Sequence, residues 1–577
     1  MPIPKQRRER SRYSLVSDSE GSYAALDAYW SRYPKPYPTY NTSNVPLELW
    51  TIIARFTSRQ SLARLCSVSH YLCSALTSLL YANTIDPPLT PSQSALLIQT
   101  LSSDVQRCSC LICARTQTLV HGKPHPALAA LIRDLGLVEG AADQTFRDKP
   151  KLLKTLSQLE AAQVRTLHWS LAAGVDDLVR ILGAPGRFPY LKELVVSCDG
   201  TNKNFNFVLV PRLEVLGVEI NLSSLVENAN MDWGVADRPC YRLAESLQMV
   251  SCTSPLLHTL RLKLKLPFDE DMEFPDDGYS DLVAAINDIH LPALATLEIS
   301  VDLVSDYWYQ YGCGVPRDLP KTDFSPFFTS HPNLHHLKLN MPGIQLSKKK
   351  TFLPQLRSFQ GSFEHAAVIC AGPHKLQKLV IALIHLNLDP LPSFKTVHLA
   401  SDLSLTHLHI FAVDAAGKTI KTRNELSPAS FRQLVSSFPN LTHLDVCISQ
   451  RMIHYCGHLI LLARLQSLRF QEYRTRWLGP PKWPARLVFP PEDYIEEFTL
   501  FLPSQPRLKR IEISLLGDTY PNSQSFGFKE MGETPELSAE YFFSVLRPSG
   551  GNAYVVLDRA HVVDRCEIGD TFWLTGL

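Results

Sequence analysis

One pattern constrains this chain more than any other: L-x-x-L-x-[LIV]. It recurs at Leu191/Leu194/Val196, Leu213/Leu216/Val218, Leu257/Leu260/Leu262, Leu294/Leu297/Ile299 and Leu334/Leu337/Leu339. Further copies stand at Leu376/Leu379/Ile381, Leu405/Leu408/Ile410, Leu441/Leu444/Val446, Leu465/Leu468/Phe470 and Leu508/Ile511/Ile513. Val164/Leu167/Trp169 and Leu356/Phe359 are weaker copies. The last two apolar positions alternate as in a strand with one buried face. A proline stands two residues before the first Leu of many copies: Pro189, Pro211, Pro255, Pro292, Pro332, Pro354, Pro439 and Pro506. Proline ends a helix and holds the residue before it out of the α region, so each copy predicts a helix that stops and an extended strand that begins. FFTSHPNLHHLKL (residues 327–339) and LVSSFPNLTHLDV (residues 434–446) align residue for residue. Successive cores lie roughly 20 to 44 residues apart, the spacing of units that bury their apolar faces on one another. The expected fold class is α/β, with parallel strands plus helices in an irregular solenoid over residues 164–517. A mixed α/β domain without repeats is the alternative.

Composition bounds the rest. Hydrophobic residues at 45% exclude wholesale disorder. The 57 basic and 56 acidic residues leave a net charge of +1, which gives no global pull toward nucleic acid or anionic lipid. The 41 prolines outnumber the 26 glycines, as a proline at a fixed repeat position would require. The 13 cysteines are an odd number, and the N-terminal MPIPKQRRERSRYS is basic and polar, unlike a secretory leader. No run approaches a membrane span. The expectation is therefore a cytoplasmic or nuclear protein with reduced thiols and no membrane contact. Residues 1–43 read as a disordered tail, with Lys5, Arg7, Arg8, Arg10 and Arg12 either solvated or a nuclear-import patch.

Residues 44–85 carry three short amphipathic patterns. Leu49, Ile52, Ile53 and Phe56 recur at helical spacing behind Pro46. Leu62, Leu65 and Cys66 form a second stripe, and Leu72, Ala75, Leu76, Leu79 and Leu80 a third. Three such helices are near the lower limit of a self-sufficient core. The stretch resembles the F-box. Val45, Pro46, Leu47, Glu48 and Leu49 match its opening, Ile53, Phe56, Leu62 and Leu65 its apolar helix, and Val68, Ser69, His70, Tyr71, Leu80 and Tyr81 its end. Val45 replaces the commoner Leu. The bland alternative is a helical hairpin that opens a larger domain.

Residues 86–163 read as a helical linker, and 518–577 as a C-terminal cap of the array, with a helix at 539–546 and strands at 554–557 and 572–574. The acidic stretch 269–281 and the basic run 347–350 read as solvated loops. Cys108, Cys110 and Cys113, with His121 and His125 downstream, offer one zinc knuckle without a second, so no metal site is assigned. Gly417-Lys418-Thr419 looks like the end of a phosphate-binding loop, but Ala412 stands where its first glycine belongs. No catalytic or cofactor-binding signature was found. His335, His336, His407, His409 and His443 share a repeat register, which puts them on one surface. The strand positions between the apolar residues include Glu193, Glu219, Arg261, Lys263, Glu298, Lys338, Lys378, Asp445, Arg469, Arg510 and Glu512. Their mixed signs disfavour a phosphate-tracking groove and suit a protein partner.

The array resembles a degenerate leucine-rich repeat of the kind joined to an F-box, although the usual Asn or Cys after the last apolar residue is mostly absent and Lys265 and Ser449 stand there instead. The two resemblances together imply the substrate-recognition subunit of a cullin-type (SCF) ubiquitin ligase. They imply that the F-box docks on a Skp-family adaptor, which binds the cullin, while the solenoid holds a protein target. The expected adaptor contacts are Pro46, Leu49, Ile53, Leu62, Leu65 and Val68. No catalysis, cofactor or nucleic acid is expected. The alternative function is a leucine-rich interaction scaffold unrelated to ubiquitin.

Overall fold

The computed structural model describes residues 46–68, 70–85, 88–102, 131–138, 164–170, 178, 182, 188–199, 210, 212–221, 239–267, 276–304, 322–341, 344–347, 353–369, 375–381, 405–410, 426–448, 451–474, 491–517, 536–549 and 551–562. The expected tail, the Cys108–His125 cluster, the Gly417 loop and the strand at 572–574 lie outside the described residues. The chain divides into two compact units; among the described residues the first holds 46–80 and the second those from Tyr81 onward.

The first unit is helical. Helices α1 (Leu47–Arg55), α2 (Arg59–Val68) and α3 (His70–Ala82, which runs through the junction) follow one another closely. Pro46 sits just before α1, and its carbonyl accepts the Leu49 and Trp50 N–H groups at 3.1 and 3.3 Å. Ser58 caps α2, its hydroxyl accepting the Ser61 N–H at 3.2 Å. Among the described residues, Ala54, Leu62, Cys66, Leu72, Leu76 and Leu80 are its buried apolar side chains.

The second unit opens with α4 (Pro91–Ser102). Thr90 and Gln93 cap it reciprocally, each side chain bonding the other's backbone N–H. The strands then run in chain order: β1 (Asp134–Val138), β2 (Thr166–Ser170), β3 (Glu193–Asp199), β4 (Val215–Asn221), β5 (Thr259–Pro267), β6 (Thr296–Val304), β7 (Thr322–Asp323), β8 (His336–Asn340), β9 (Ile344–Gln345), β10 (Ser358–Gly361), β11 (Lys378–Ile381), β12 (His407–Ile410), β13 (His443–Ile448), β14 (Ser467–Arg474), β15 (Arg510–Gly517), β16 (Glu536–Leu546) and β17 (Tyr554–Val562). Between them lie α5 (Pro239–Thr253), α6 (Asp276–Asp288), α7 (Ser325–Ser330), α8 (Phe363–Ile369), α9 (Pro428–Ser437), α10 (Ile453–Leu459) and α11 (Pro491–Phe501).

Among the described residues fifteen strands form one open sheet in which each pairs with the next of the fifteen; β7 and β9 pair separately. All pairings through β15 are parallel, and β16 and β17 join antiparallel. The architecture is therefore mixed α/β around a large, mostly parallel sheet. Every copy of the sequence pattern falls on one register. Leu135, Leu167, Leu194, Leu216, Leu260, Leu297, Leu337, Phe359, Leu379, Leu408, Leu444, Leu468 and Ile511 are consecutive ladder partners. All are buried in one continuous core.

The prolines have a sharper role than ending helices. Pro189, Pro255, Pro292, Pro332, Pro354, Pro439 and Pro506 each occupy the second position of a tight turn. The repeat's first Leu closes that turn by donating to the carbonyl three residues back, at 3.0 to 3.3 Å. Proline's fixed φ suits that position. At the start of each main-sheet strand from β2 to β15 two successive N–H groups then converge on one carbonyl just before the preceding strand. Lys192 and Glu193 donate to Arg165, His335 and His336 to Ala295, and Thr442 and His443 to Thr406. The two aligned segments end their helices alike: His331 (φ −124°, ψ 60°) and Phe438 (φ −130°, ψ 63°) each return an N–H to the carbonyl three residues back.

Three expectations need correction. The sheet begins at β1, inside the stretch read as a helical linker, because Leu135 and Leu137 alternate inward against Leu167 and Trp169. Helix α6 starts at Asp276, within the stretch read as an acidic loop. The helix expected at 539–546 is a strand, because Tyr541 and Phe543 alternate into the core and the free edge of β15 supplies the partner.

Candidate functional site

Two surfaces stand out, one in each unit. In the first unit, α1 turns its apolar stripe to solvent. Leu49 is 49% exposed, Ile52 51%, Ile53 44% and Phe56 87%, and Val68 at the end of α2 is 66% exposed. Of the expected contacts, Pro46, Leu49, Ile53 and Val68 are thus open and Leu65 is half-buried. Leu62, only 6% exposed, faces inward and is a packing residue. The stripe arises because α1 turns Ala54 inward and half-buries Trp50 while Leu49, Ile52 and Ile53 face outward. Ile52 and Phe56 extend it beyond the expected set.

In the second unit, the positions between the buried ladders form a polar sheet face. Their mixed signs resolve into cross-strand pairs. Arg469 is the hub: it reaches Glu512 at 2.8 Å, Glu540 at 3.3 Å and Asp445 at 3.8 Å. Asp445 also meets His409 at 2.7 Å and accepts the Gln471 amide at 2.9 Å. Burial pushes the Glu512 carboxyl above the usual carboxylate range, with Asp445 and Glu540 adding to the shift and Arg469 opposing it. Toward the N-terminal strands Arg261 pairs with Glu298 and Lys263 with Glu219, both at 3.6 Å. The His168 hydrogen bond holds Glu193 below its usual range.

The histidines gather only in part. His407 and His443 are ladder partners whose rings stack at 4.0 Å, 8° from parallel. In each couple the preceding threonine hydroxyl donates to a backbone carbonyl, leaving its lone pair for the ring Nδ1 at 2.8 and 2.9 Å. Nε2 is left pointing away from these bonds.

A buried polar knot was not anticipated. Glu472 accepts the Tyr494 hydroxyl at 2.8 Å and the Met452 N–H at 3.1 Å. Glu497 beside it pairs with Arg451 at 2.5 Å, and burial raises its pKa. The sequence did hold a signal: Glu472 continues the inward alternation of Leu468 and Phe470. Among the described residues, no three His, Cys, Asp or Glu side chains converge as a metal site. No helix there is long and apolar enough to cross a membrane. Compared with known proteins, the chain matches no family model and no curated sequence.

Proposed function

We propose that this chain is a recruiting subunit of a cullin-type ubiquitin ligase. In this reading, α1 to α3 dock as an F-box on a Skp-family adaptor, which binds the cullin. The irregular leucine-rich solenoid holds a protein target by its polar sheet face. The chain itself performs no bond chemistry. It raises the effective concentration of a target near the transfer site. Such work belongs in the cytoplasm or nucleus.

The observation that carries the reading is the solvent-facing stripe Leu49, Ile52, Ile53 and Phe56. A unit this small that exposes four large apolar residues along one helix has a face to offer another polypeptide. The geometry also makes the test clean. Pro46 and Leu49 are exposed, so P46A/L49A opens no cavity. Affinity capture with the full chain should recover the adaptor, and P46A/L49A should not. Undiminished capture by the double variant refutes the docking reading and favours a plain interaction scaffold.

A further inference from the structure

The proline turns and strand starts change character at β8. Upstream, the five corresponding stretches read AAQVRT, FPYLKE, VPRLEV, SPLLHT and LPALAT; two carry glutamates, Glu193 and Glu214, beside the cations Arg165, Lys192 and Arg212, and Lys192 pairs with Glu214. From β8 to β15 they read HPNLHH (331–336), LPQLRS (353–358), KLQK (375–378), LTH (405–407), FPNLTH (438–443), LARLQS (462–467) and QPRLKR (505–510). Among the described residues these stretches contain no carboxylate; KLQK and LTH are shortened, and the full counterpart of LTH begins at Asp402, outside the described residues. They hold Arg357, Lys375, Lys378, Arg464, Arg507, Lys509 and Arg510, all exposed.

Register makes this a physical row. His336, Ser358, Lys378, His407, His443, Ser467 and Arg510 are successive ladder partners. At about 4.8 Å per strand the rim spans about 30 Å. Arg547, from β16, extends it by donating to the carbonyls of Gln505 and Leu508. The nearest carboxylates are Asp445 and Glu512, two residues further along β13 and β15, where Arg469 pairs with both, and Asp558 of β17, which accepts from Ser544, the partner of Arg510. In a chain of net charge +1 this run of exposed cations at successive strand starts is not a reflection of bulk composition. Cations beside helix C-termini also offset the helix dipole, but that effect fades within the last turn. Lys378 and Arg510 lie nine residues past the ends of α8 and α11.

We propose that this rim binds an extended acidic segment of a partner protein, lying across the starts of β8 to β15. About nine extended residues cover the distance. A single nucleic-acid strand spaces its charges at about 3.4 Å, close to an extended acidic peptide, so charge density alone does not choose between them; a chain of net charge +1 offers no wider field to a polyphosphate, which favours the protein segment. The serines, threonines and glutamines between the cations add hydrogen-bonding groups, and the His407–His443 stack adds a flat surface. This rests on the reading of the sheet as the target-holding part, but not on the adaptor.

The test uses the full chain and a labelled Asp/Glu-rich peptide of about ten residues, the length the rim accommodates. The matched Asn/Gln peptide and a single-stranded oligonucleotide of equal charge serve as comparisons. Anisotropy should show that the acidic peptide binds, that binding weakens with salt, and that the neutral peptide does not bind. K375E/K378E and R507E/K509E/R510E should each weaken it about tenfold or more, whereas R432E, an exposed change on α9, should not. Adaptor capture should be unchanged by either rim variant, so that a failed rim and a failed docking reading are told apart. Equal affinity for both peptides, or insensitivity to both rim variants, overturns the proposal. Tighter, rim-dependent binding of the oligonucleotide overturns the choice of partner.

Discussion

His331 does at one position what Phe438 does by packing at the equivalent one. It is buried, stacked on Phe327 at 4.1 Å, and holds two backbone groups. Nδ1 donates to the Phe327 carbonyl at 2.8 Å and Nε2 accepts the Leu291 N–H at 3.0 Å. A protonated ring has no lone pair for Leu291, and burial lowers its pKa accordingly. The unfolded imidazole takes up its proton near pH 6.5, so below that pH the unfolded state binds more protons. The stabilisation is full above about pH 6.5 and is lost as pH falls toward the lower native pKa. H331F should lose about 1–3 kcal/mol at neutral pH, because the Leu291 donor is orphaned, and should flatten the acid limb of a urea-unfolding series. An unchanged acid limb assigns the sensitivity elsewhere. Gly361 makes a second residue-scale point. It stands where the other repeats have a second large apolar residue. A Cβ there would meet the Leu339 carbonyl oxygen at 2.8 Å and the Phe359 ring at 2.6 Å. The large Phe359 and absent side chain together replace the usual pair. G361A should cost about 1–3 kcal/mol by overpacking, read as a lower midpoint in thermal unfolding.

At the scale of elements, the turn ahead of each strand is the repeated device. Proline at its second position stiffens the unfolded chain without straining the native one. P332A and P439A should each lower stability by about 0.4–1 kcal/mol, and additively, since they sit in separate turns. A much larger loss at either site means that the ring itself packs. The strands were legible because their inward residues alternate as Leu-x-Leu behind a proline, a signal repeated often enough to fix register. Even the degenerate Leu356/Phe359 copy joined the ladder, its glycine explained only by the ring next door. What failed were elements decided by neighbours. Residues 539–546 are strand because β15 leaves an edge, and Leu135 and Leu137 are strand because β2 lies beside them. The α1 stripe could be read as amphipathic from spacing alone. Which side of it faced solvent could not, because both Ala54 and the larger residues fit a helical period. Likewise spacing grouped the histidines on one surface, but the His409–Asp445 contact depends on strand adjacency.

At the scale of the molecule, two kinds of surface coexist. The sheet grows by nearest-neighbour pairing and satisfies its backbone strand by strand, ending in an antiparallel pair. Its buried apolar residues, among those described, form one cluster from Leu89 to Val555. The helical unit instead leaves Ile53 and Phe56 in water. The proposed function assigns these surfaces different partners, an adaptor for the helices and a target for the sheet. The most direct measurement is a calorimetric titration of the full chain with a purified Skp-family adaptor, repeated with I53D/F56D. A saturable one-to-one complex is expected for the native chain, with no detectable heat for the variant and equal thermal stability of the two. Absence of binding by the native chain, or equal binding by both, contradicts the docking claim.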